Sequence, residues 1–286
     1  MKVGIDSYCY HRFFGEVYPE QPPPPRQMSV EDFLARAQEL GVDGVSLESC
    51  FLPSLDLGYL RELKAALDEY GFERVYAWGH PDGLQGGRSE EGLRDMIASL
   101  ARAEAIGARV MRVVGGTWAE GREAHAPQLQ RLARMFRQAT EVAKDHDVRM
   151  AVENHNDFTA DELLRLLETV NSPYLGINFD TGNFVRLLDD PVEAARTLGQ
   201  YVYATHIKDV WPQKRVSPRA WYFFSSAPVG QGLIDIARVI QILNDAGYAG
   251  MLTVEIDFLH PDYGDDEDAA VADSVRTLRR IASSLI

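Results

Sequence analysis

Eight times along this 286-residue chain a short run rich in Val and Ile is followed by a longer amphipathic segment, and this alternation constrains the fold more than any other property. The short runs predict strands over 3–6, 44–48, 73–78, 110–114, 149–153, 175–180, 202–206 and 251–255. Helices are expected over 29–40, 57–70, 89–106, 127–146, 159–170, 191–198, 233–244 and from 268 onward. Ser29 with Asp32, and Thr159 with Glu162, have the three-residue spacing of reciprocal helix caps, and Gly41, Gly71 and Gly107 stand where helices should stop. Strand and helix in strict alternation specify a parallel sheet covered by helices, and eight units favour closure into a (β/α)8 barrel, one domain over 1–286. A doubly wound dinucleotide fold would want a glycine-rich turn after the first strand, where this chain has Ser7, Tyr8, Cys9 and Tyr10.

Two connections exceed what the barrel needs. One runs from Tyr10 to Met28 and holds four consecutive prolines; the other runs from Asp209 to Gly232 and is rich in aromatic residues. Both follow strands at the rim where barrel chemistry is done, so they are expected to cover the site.

A formal net charge of -14, with no Lys/Arg run to offset it, argues against nucleic acid and against anionic membrane surfaces. No apolar run approaches the ~18 residues of a membrane span, and the amino terminus lacks a signal-peptide core, which predicts the cytoplasm. Cys9 and Cys50 belong to no CxxC pair and are expected as buried free thiols.

Four of the predicted strands end in a side chain suited to a metal: Glu153, Asp180, His206 and Glu255, with separations of 27, 26 and 49 residues. Parallel strands bring such residues to one rim. Each alone could be structural, a Glu pairing with an Arg or a His satisfied near the core. Together, three carboxylates and one imidazole suit hard or borderline cations, Mn²⁺, Mg²⁺ or Co²⁺, with Zn²⁺ also admitted.

The strings Val152-Glu153-Asn154, Asn178-Phe179-Asp180-Thr181-Gly182-Asn183, His206-Ile207-Lys208-Asp209, Gly230-Gln231-Gly232-Leu233-Ile234-Asp235 and Leu252-Thr253-Val254-Glu255-Ile256 carry a more specific signal. The chain resembles the sugar phosphate isomerase/epimerase family of the xylose isomerase-like TIM barrel superfamily, most firmly over 149–260. The resemblance implies one divalent metal on Glu153, Asp180, His206 and Glu255, with Glu153 and Glu255 as an acid/base pair. It implies a small-molecule carbohydrate substrate, a sugar, keto sugar or sugar acid, isomerised or epimerised through an enediolate, and a homodimer or homotetramer.

Two departures stand out. Ketose epimerases of the family have a His three residues after the Asp, where this chain has Asn183, which donates a hydrogen bond but holds no proton or charge. They also have an Arg shortly after the metal-binding His, whereas the first Arg after His206 is Arg215. A lyase on the same metal site, a dehydratase, decarboxylase or β-eliminase of a keto sugar or keto sugar acid, is therefore the alternative. An endonuclease-like member would need many more His ligands than seven residues offer, and a basic groove. A non-catalytic sugar-binding barrel would need no proton shuttle.

Further substrate contacts are expected at several positions. Glu48 ends the second strand, to hold a sugar hydroxyl or pair with an Arg. Trp78 and His80 follow the third, where an aromatic face stacks on a sugar or simply packs. His155 is an extra base or a rim residue, and Lys208 meets an anionic substrate group or Asp209. Arg215 clamps an anion or is solvated. Asp6 is expected to be structural, and His11, His125, His146 and His260 to lie on the surface or in loops.

Overall fold

The structure is a computed structural model and describes residues 1–79, 83–116 and 123–285. Eight parallel strands close a barrel in the order β1-β10-β7-β6-β5-β4-β3-β2. These are β1 (Lys2–Asp6), β2 (Gly44–Glu48), β3 (Glu73–Ala77), β4 (Val110–Val114), β5 (Arg149–Glu153), β6 (Leu175–Asp180), β7 (Val202–Ile207) and β10 (Met251–Val254). The fold is the expected (β/α)8 TIM barrel. Every residue of β2 and β6 is buried, because helices cover the outer face while inward side chains fill the interior.

The outer layer comprises α1 (Val30–Glu39), α2 (Leu57–Glu69), α3 (Glu90–Ala105), α4 (His125–Asp145), α5 (Ala160–Val170), α6 (Thr181–Arg186), α7 (Pro191–Leu198), α8 (Ile236–Asp245) and α9 (Glu267–Ser284). The reciprocal caps form at α1 and α5: Ser29 with Asp32, Thr159 with Glu162. α8 begins at Ile236, later than expected, because Asp235 caps it and the Leu233 N–H is drawn to the carbonyl of Val210.

Strand alternation sorts the barrel interior into layers. Val75, Ala151, Ala204 and Met251 make a small apolar floor at the amino-terminal end. Gly44 gives Met251 its room, since a Cβ there would lie 2.8 Å from the sulfur. Two and four residues beyond Ala151, Ala204 and Met251 the same inward parity yields Glu153 and His155, His206 and Lys208, and Thr253 and Glu255, polar residues toward the carboxyl-terminal rim.

Both long connections fold over this rim. The first is tied down by buried Arg12, whose guanidinium donates to Glu267 at 2.6 and 2.8 Å and to the carbonyl of Pro22 at 2.7 Å. The second contains an antiparallel hairpin, β8 (Asp209–Pro212) and β9 (Phe224–Ala227), which the sequence reading does not anticipate. Asp209 organises its return by accepting the backbone N–H groups of Gly230, Gly232 and Ile234 at 2.9, 2.8 and 3.1 Å. The connections meet where Tyr18 packs on Trp221, with ring centroids 4.6 Å apart.

Both cysteines are free. Cys9 is buried as expected, but Cys50 is exposed, because it sits past the end of β2 at the mouth. His11 and His260 are loop residues, yet both are buried, each held by its own turn: His11 Nδ1 meets the Glu16 carbonyl, and His260 Nδ1 accepts the Asp262 N–H. Among the described residues, no helix is long and apolar enough to cross a membrane.

Candidate metal centre

Register places the ligand candidates. Asp180 on β6 and His206 on β7 are direct pairing partners, and Glu153 ends the adjacent β5. Glu255 follows β10 and is fixed by its backbone N–H to the carbonyl of Ile207. All four side chains are at most 5% exposed, and each offers a ligand atom within 4.8 Å of the others.

His206 is the hub. Its Nδ1 lies 3.2 Å from Glu255 Oε2, 3.5 Å from Glu153 Oε1 and 4.0 Å from Asp180 Oδ2, and has no hydrogen-bond partner. Nε2, on the far side of the ring, faces Asp6 Oδ2 at 3.3 Å. Asp180 uses Oδ1 to cap α6, accepting the N–H of Asn183 at 2.9 Å, which leaves Oδ2 for the centre. Asn154 fixes Asp180 through both backbone groups, donating to its carbonyl and accepting its N–H.

Cations of the protein itself surround this cluster. Lys208 Nζ lies 2.8 Å from Glu255, 3.0 Å from Asp180 and 3.0 Å from Asp257. Arg112, inward from β4, donates through Nε to Glu153 Oε2 and lies 3.4 Å from Glu48 through Nη1. Arg186 on α6 grips both oxygens of Asp257 at 2.7 and 3.1 Å and donates to Asn183 at 2.9 Å, and Asn183 in turn donates to Glu153 Oε1 at 3.2 Å.

Six carboxylates (Asp6, Glu48, Glu153, Asp180, Glu255, Asp257) thus face three permanent cations in a buried volume. Burial lifts Asp180 to about 7, with Lys208 opposing and Glu255 and Glu153 reinforcing the rise. Burial likewise takes Glu48 to about 8 despite Arg112. Burial would also raise Glu255, but Lys208 and His206 outweigh it and bring it to about 2. For His206, burial opposes charge while Glu255 and Glu153 favour it, and the balance lies well above the ordinary imidazole range. A divalent cation would compete with a proton for the same nitrogen. An unpartnered imidazole nitrogen, three converging carboxylates and excess negative charge fit a divalent cation. The cluster is consistent with such a site.

A cavity of about 510 Å³ opens onto the centre, lined by Glu48, Arg112, Glu153, Glu255 and Lys208, with Tyr18 and Trp221 among its other lining residues. His155 and Asn183 also line it. Lys208 belongs to the cavity, but its partners are the ligand carboxylates and Asp257, because Asp209 is occupied by the hairpin loop. Glu48 both lines the cavity and pairs with an Arg.

Two expected contacts require correction. Trp78 is 1% exposed and points away from the cavity, its indole N–H donating to Asp95 on α3 at 2.8 Å, because β3 ends at Ala77 and alternation turns Trp78 outward. Arg215 is exposed at the hairpin turn with φ +66 and does not line the cavity, since the hairpin carries it outward. His80 lies outside the described residues.

Residues not singled out from the sequence include Arg112, Arg186, Asp257 and Tyr18, while Trp221 belongs to the aromatic connection expected over the site, and Asp6 joins the centre through His206. A signal existed for two of them. Arg112 interrupts an apolar strand at an inward position, and Asp257 stands two residues after Glu255.

A closed (β/α)8 barrel carrying a buried cluster of three carboxylates and one imidazole at its carboxyl-terminal rim is the class of protein that fold and site define. Residues 34–281 match the family described as Xylose isomerase-like TIM barrel. The chain belongs to this family.

Among curated proteins, L-ribulose-5-phosphate 3-epimerase UlaE of Escherichia coli O157:H7 (strain EC4115 / EHEC) is 25% identical over 170 residues, 58% of this chain. The match spans 56% of that relative's own length. Among solved structures, D-psicose 3-epimerase with D-tagatose from Clostridium cellulolyticum H10 superimposes with a TM-score of 0.76 at 17% identity, covering 100% of this chain and 99% of that one. The IOLI protein with a binding zinc atom has a TM-score of 0.75 at 15% identity, with 100% and 99% covered. At these identities the two structures establish the fold alone.

Proposed function

We propose that the protein is a divalent-metal-dependent isomerase or epimerase of a sugar, keto sugar or sugar acid, working through an enediolate. The convergence of Glu153, Asp180, His206 and Glu255 within 4.8 Å, at the floor of a cavity large enough for a sugar, carries this reading. These four residues would hold the cation. When bound, it supplies positive charge against the negative charge that develops on a substrate oxygen as a neighbouring C–H bond breaks.

The remaining chemistry belongs to side chains. Glu153 and Glu255 both reach the cavity, and a proton exchanged with a substrate carbon would pass through one or both of them. Glu48, His155, Asn183 and Lys208 line the same space, as hydrogen-bonding partners for sugar hydroxyls. Tyr18 and Trp221, in contact with each other at the mouth, would supply aromatic surface against the substrate. Arg112, Lys208 and Arg186 are each committed to protein carboxylates, which favours a substrate without a phosphate group, unlike the phosphorylated sugar named for the curated relatives.

The lyase reading rests on Asn183. At this position it bridges Glu153 and Arg186 and has no proton to relay, so inversion at carbon loses a helper while elimination does not need one. Incubation of Mn²⁺-loaded protein with keto sugars in deuterated water separates the two. Deuterium beside the carbonyl in an otherwise intact product supports isomerisation or epimerisation, and release of water or CO₂ supports the lyase. If neither occurs with Mn²⁺, Mg²⁺, Co²⁺ or Zn²⁺, both readings fail.

A further inference from the structure

The two glutamates are not equivalent. Glu153 has both carboxylate oxygens engaged: Oε2 accepts from Arg112 Nε, and Oε1 accepts from Asn183 Nδ2 at 3.2 Å while facing His206 Nδ1 at 3.5 Å. Glu255 is arranged otherwise. Lys208 Nζ at 2.8 Å and His206 Nδ1 at 3.2 Å both address its Oε2. Its Oε1 makes no hydrogen bond among the described residues, and the side chain lines the cavity.

A carboxylate acts as a base at carbon only if it can present a free lone pair to the substrate. Glu255 meets that requirement with Oε1 while Oε2 remains directed at the centre. Glu153 would first have to break its contact with Arg112. That contact is buried, and it belongs to a continuous chain: Arg112 is also 3.4 Å from Glu48, which is itself 3% exposed. Opening it would separate a buried guanidinium from the carboxylate it donates to, a costly rearrangement.

We infer that Glu255 alone removes and returns the carbon-bound proton, and that Arg112 holds Glu153 as a fixed ligand. This rests on the functional reading above and narrows it to a one-base reaction confined to one face of the substrate. Glu255 Oε1 takes the proton from the carbon bearing the hydroxyl, the C–H electrons form the enediolate double bond, and the charge passes to the carbonyl oxygen. The hydroxyl proton then moves to that oxygen. Glu255 returns its proton to the former carbonyl carbon, and the remaining oxygen becomes the new carbonyl. Carbonyl and hydroxyl have exchanged places with nothing added or lost, which is aldose-ketose isomerisation. Inversion at a single carbon would need a second base on the opposite face, and the side chain best placed there is the one that is held.

The first arm of the test needs no substrate. Metal-free protein is treated with a water-soluble carbodiimide and glycine ethyl ester, and labelled carboxyls are located by peptide mass spectrometry. Glu255 should be modified at least tenfold faster than Glu153, and Arg112→Met should bring Glu153 up to a comparable rate. Equal or reversed labelling in the unaltered protein overturns the assignment, whether or not the variant folds. In the second arm, Mn²⁺-loaded protein is incubated with D-fructose, D-tagatose or D-ribulose in deuterated water. Glu255→Gln should lower deuterium incorporation by roughly 10²–10⁴-fold, and unaltered protein should yield aldose without a 3-epimer. A 3-epimer as main product, or exchange persisting in Glu255→Gln, defeats the inference. If unaltered protein exchanges none of these sugars, the functional reading is what fails, and the labelling arm still decides which glutamate is free.

Discussion

Asp6 Oδ2 sits 3.3 Å from Nε2 of His206, across the imidazole ring from the three carboxylates that face Nδ1. β1 and β7 each flank β10 in the barrel, so the contact reaches across the interior from one strand to the next but one. Such a carboxylate fixes the tautomer and the ring orientation of a metal-binding histidine. Asp6→Asn should therefore weaken Mn²⁺ binding about 10–100-fold while leaving the barrel folded. Titration calorimetry with circular dichroism on the same samples checks this, and unchanged affinity would remove Asp6 from the centre.

Cation binding should also appear as stability. A cation at about one hundred times its Kd adds roughly 2.7 kcal/mol to the folded state, equivalent to about 4–5 °C in melting temperature for a chain of this size. The shift should vanish on adding EDTA and in His206→Ala. Differential scanning calorimetry measures it directly.

Asp157, outside the ligand quartet, gives a further pH signature. Burial raises its pKa to about 8, backbone N–H groups of Phe158 and His155 oppose the rise, Glu153 adds to it, and its Oδ2 has no partner among the described residues. The folded state then keeps a proton that the unfolded chain releases near pH 3.8. Stability from this group is complete below about 4 and is lost as pH rises toward 8, by up to about 6 kcal/mol. Asp157→Asn removes the dependence, so the variant should gain on the unaltered protein steadily from pH 4 to 8 in urea unfolding. A constant difference across that range would mean that Asp157 is ionised in the fold.

The Arg12–Glu267 pair fastens the amino-terminal connection to α9, and its side chains are only 2% and 6% exposed. Removing one partner strands a buried charge, so Arg12→Ala should cost about 3–5 kcal/mol. The double change Arg12→Met with Glu267→Leu should recover most of that loss. If the double variant is no better than the single one, the contribution comes from the bond to the Pro22 carbonyl instead.

The sequence exposes the ligand quartet because nothing else explains charged side chains at the ends of apolar strands. Arg112 was equally legible in principle, sharing its parity with Val110 and Val114, and only the weight given to strand ends hides it. Trp78 shows how sensitive such readings are to register: extending β3 by one residue beyond Ala77 turns an outward side chain into an apparent rim residue. Other elements leave little trace. α6 spans six residues, too few for helical periodicity to show, and β8 and β9 are four-residue strands with mixed polarity whose pairing depends on the loop contacts of Asp209. Tyr18 and Trp221 meet only because two connections some two hundred residues apart in sequence fold over one mouth.

Asp180 serves two masters, starting a helix with one oxygen and facing the centre with the other. A histidine or a glutamate could donate to a cation but would make a poorer cap for α6, and serine or threonine would cap it but bring no charge. Of the four positions, this is the one where the backbone itself restricts the choice of donor, so attempts to re-engineer the centre for a softer metal should begin at 153, 206 or 255 and leave 180 alone.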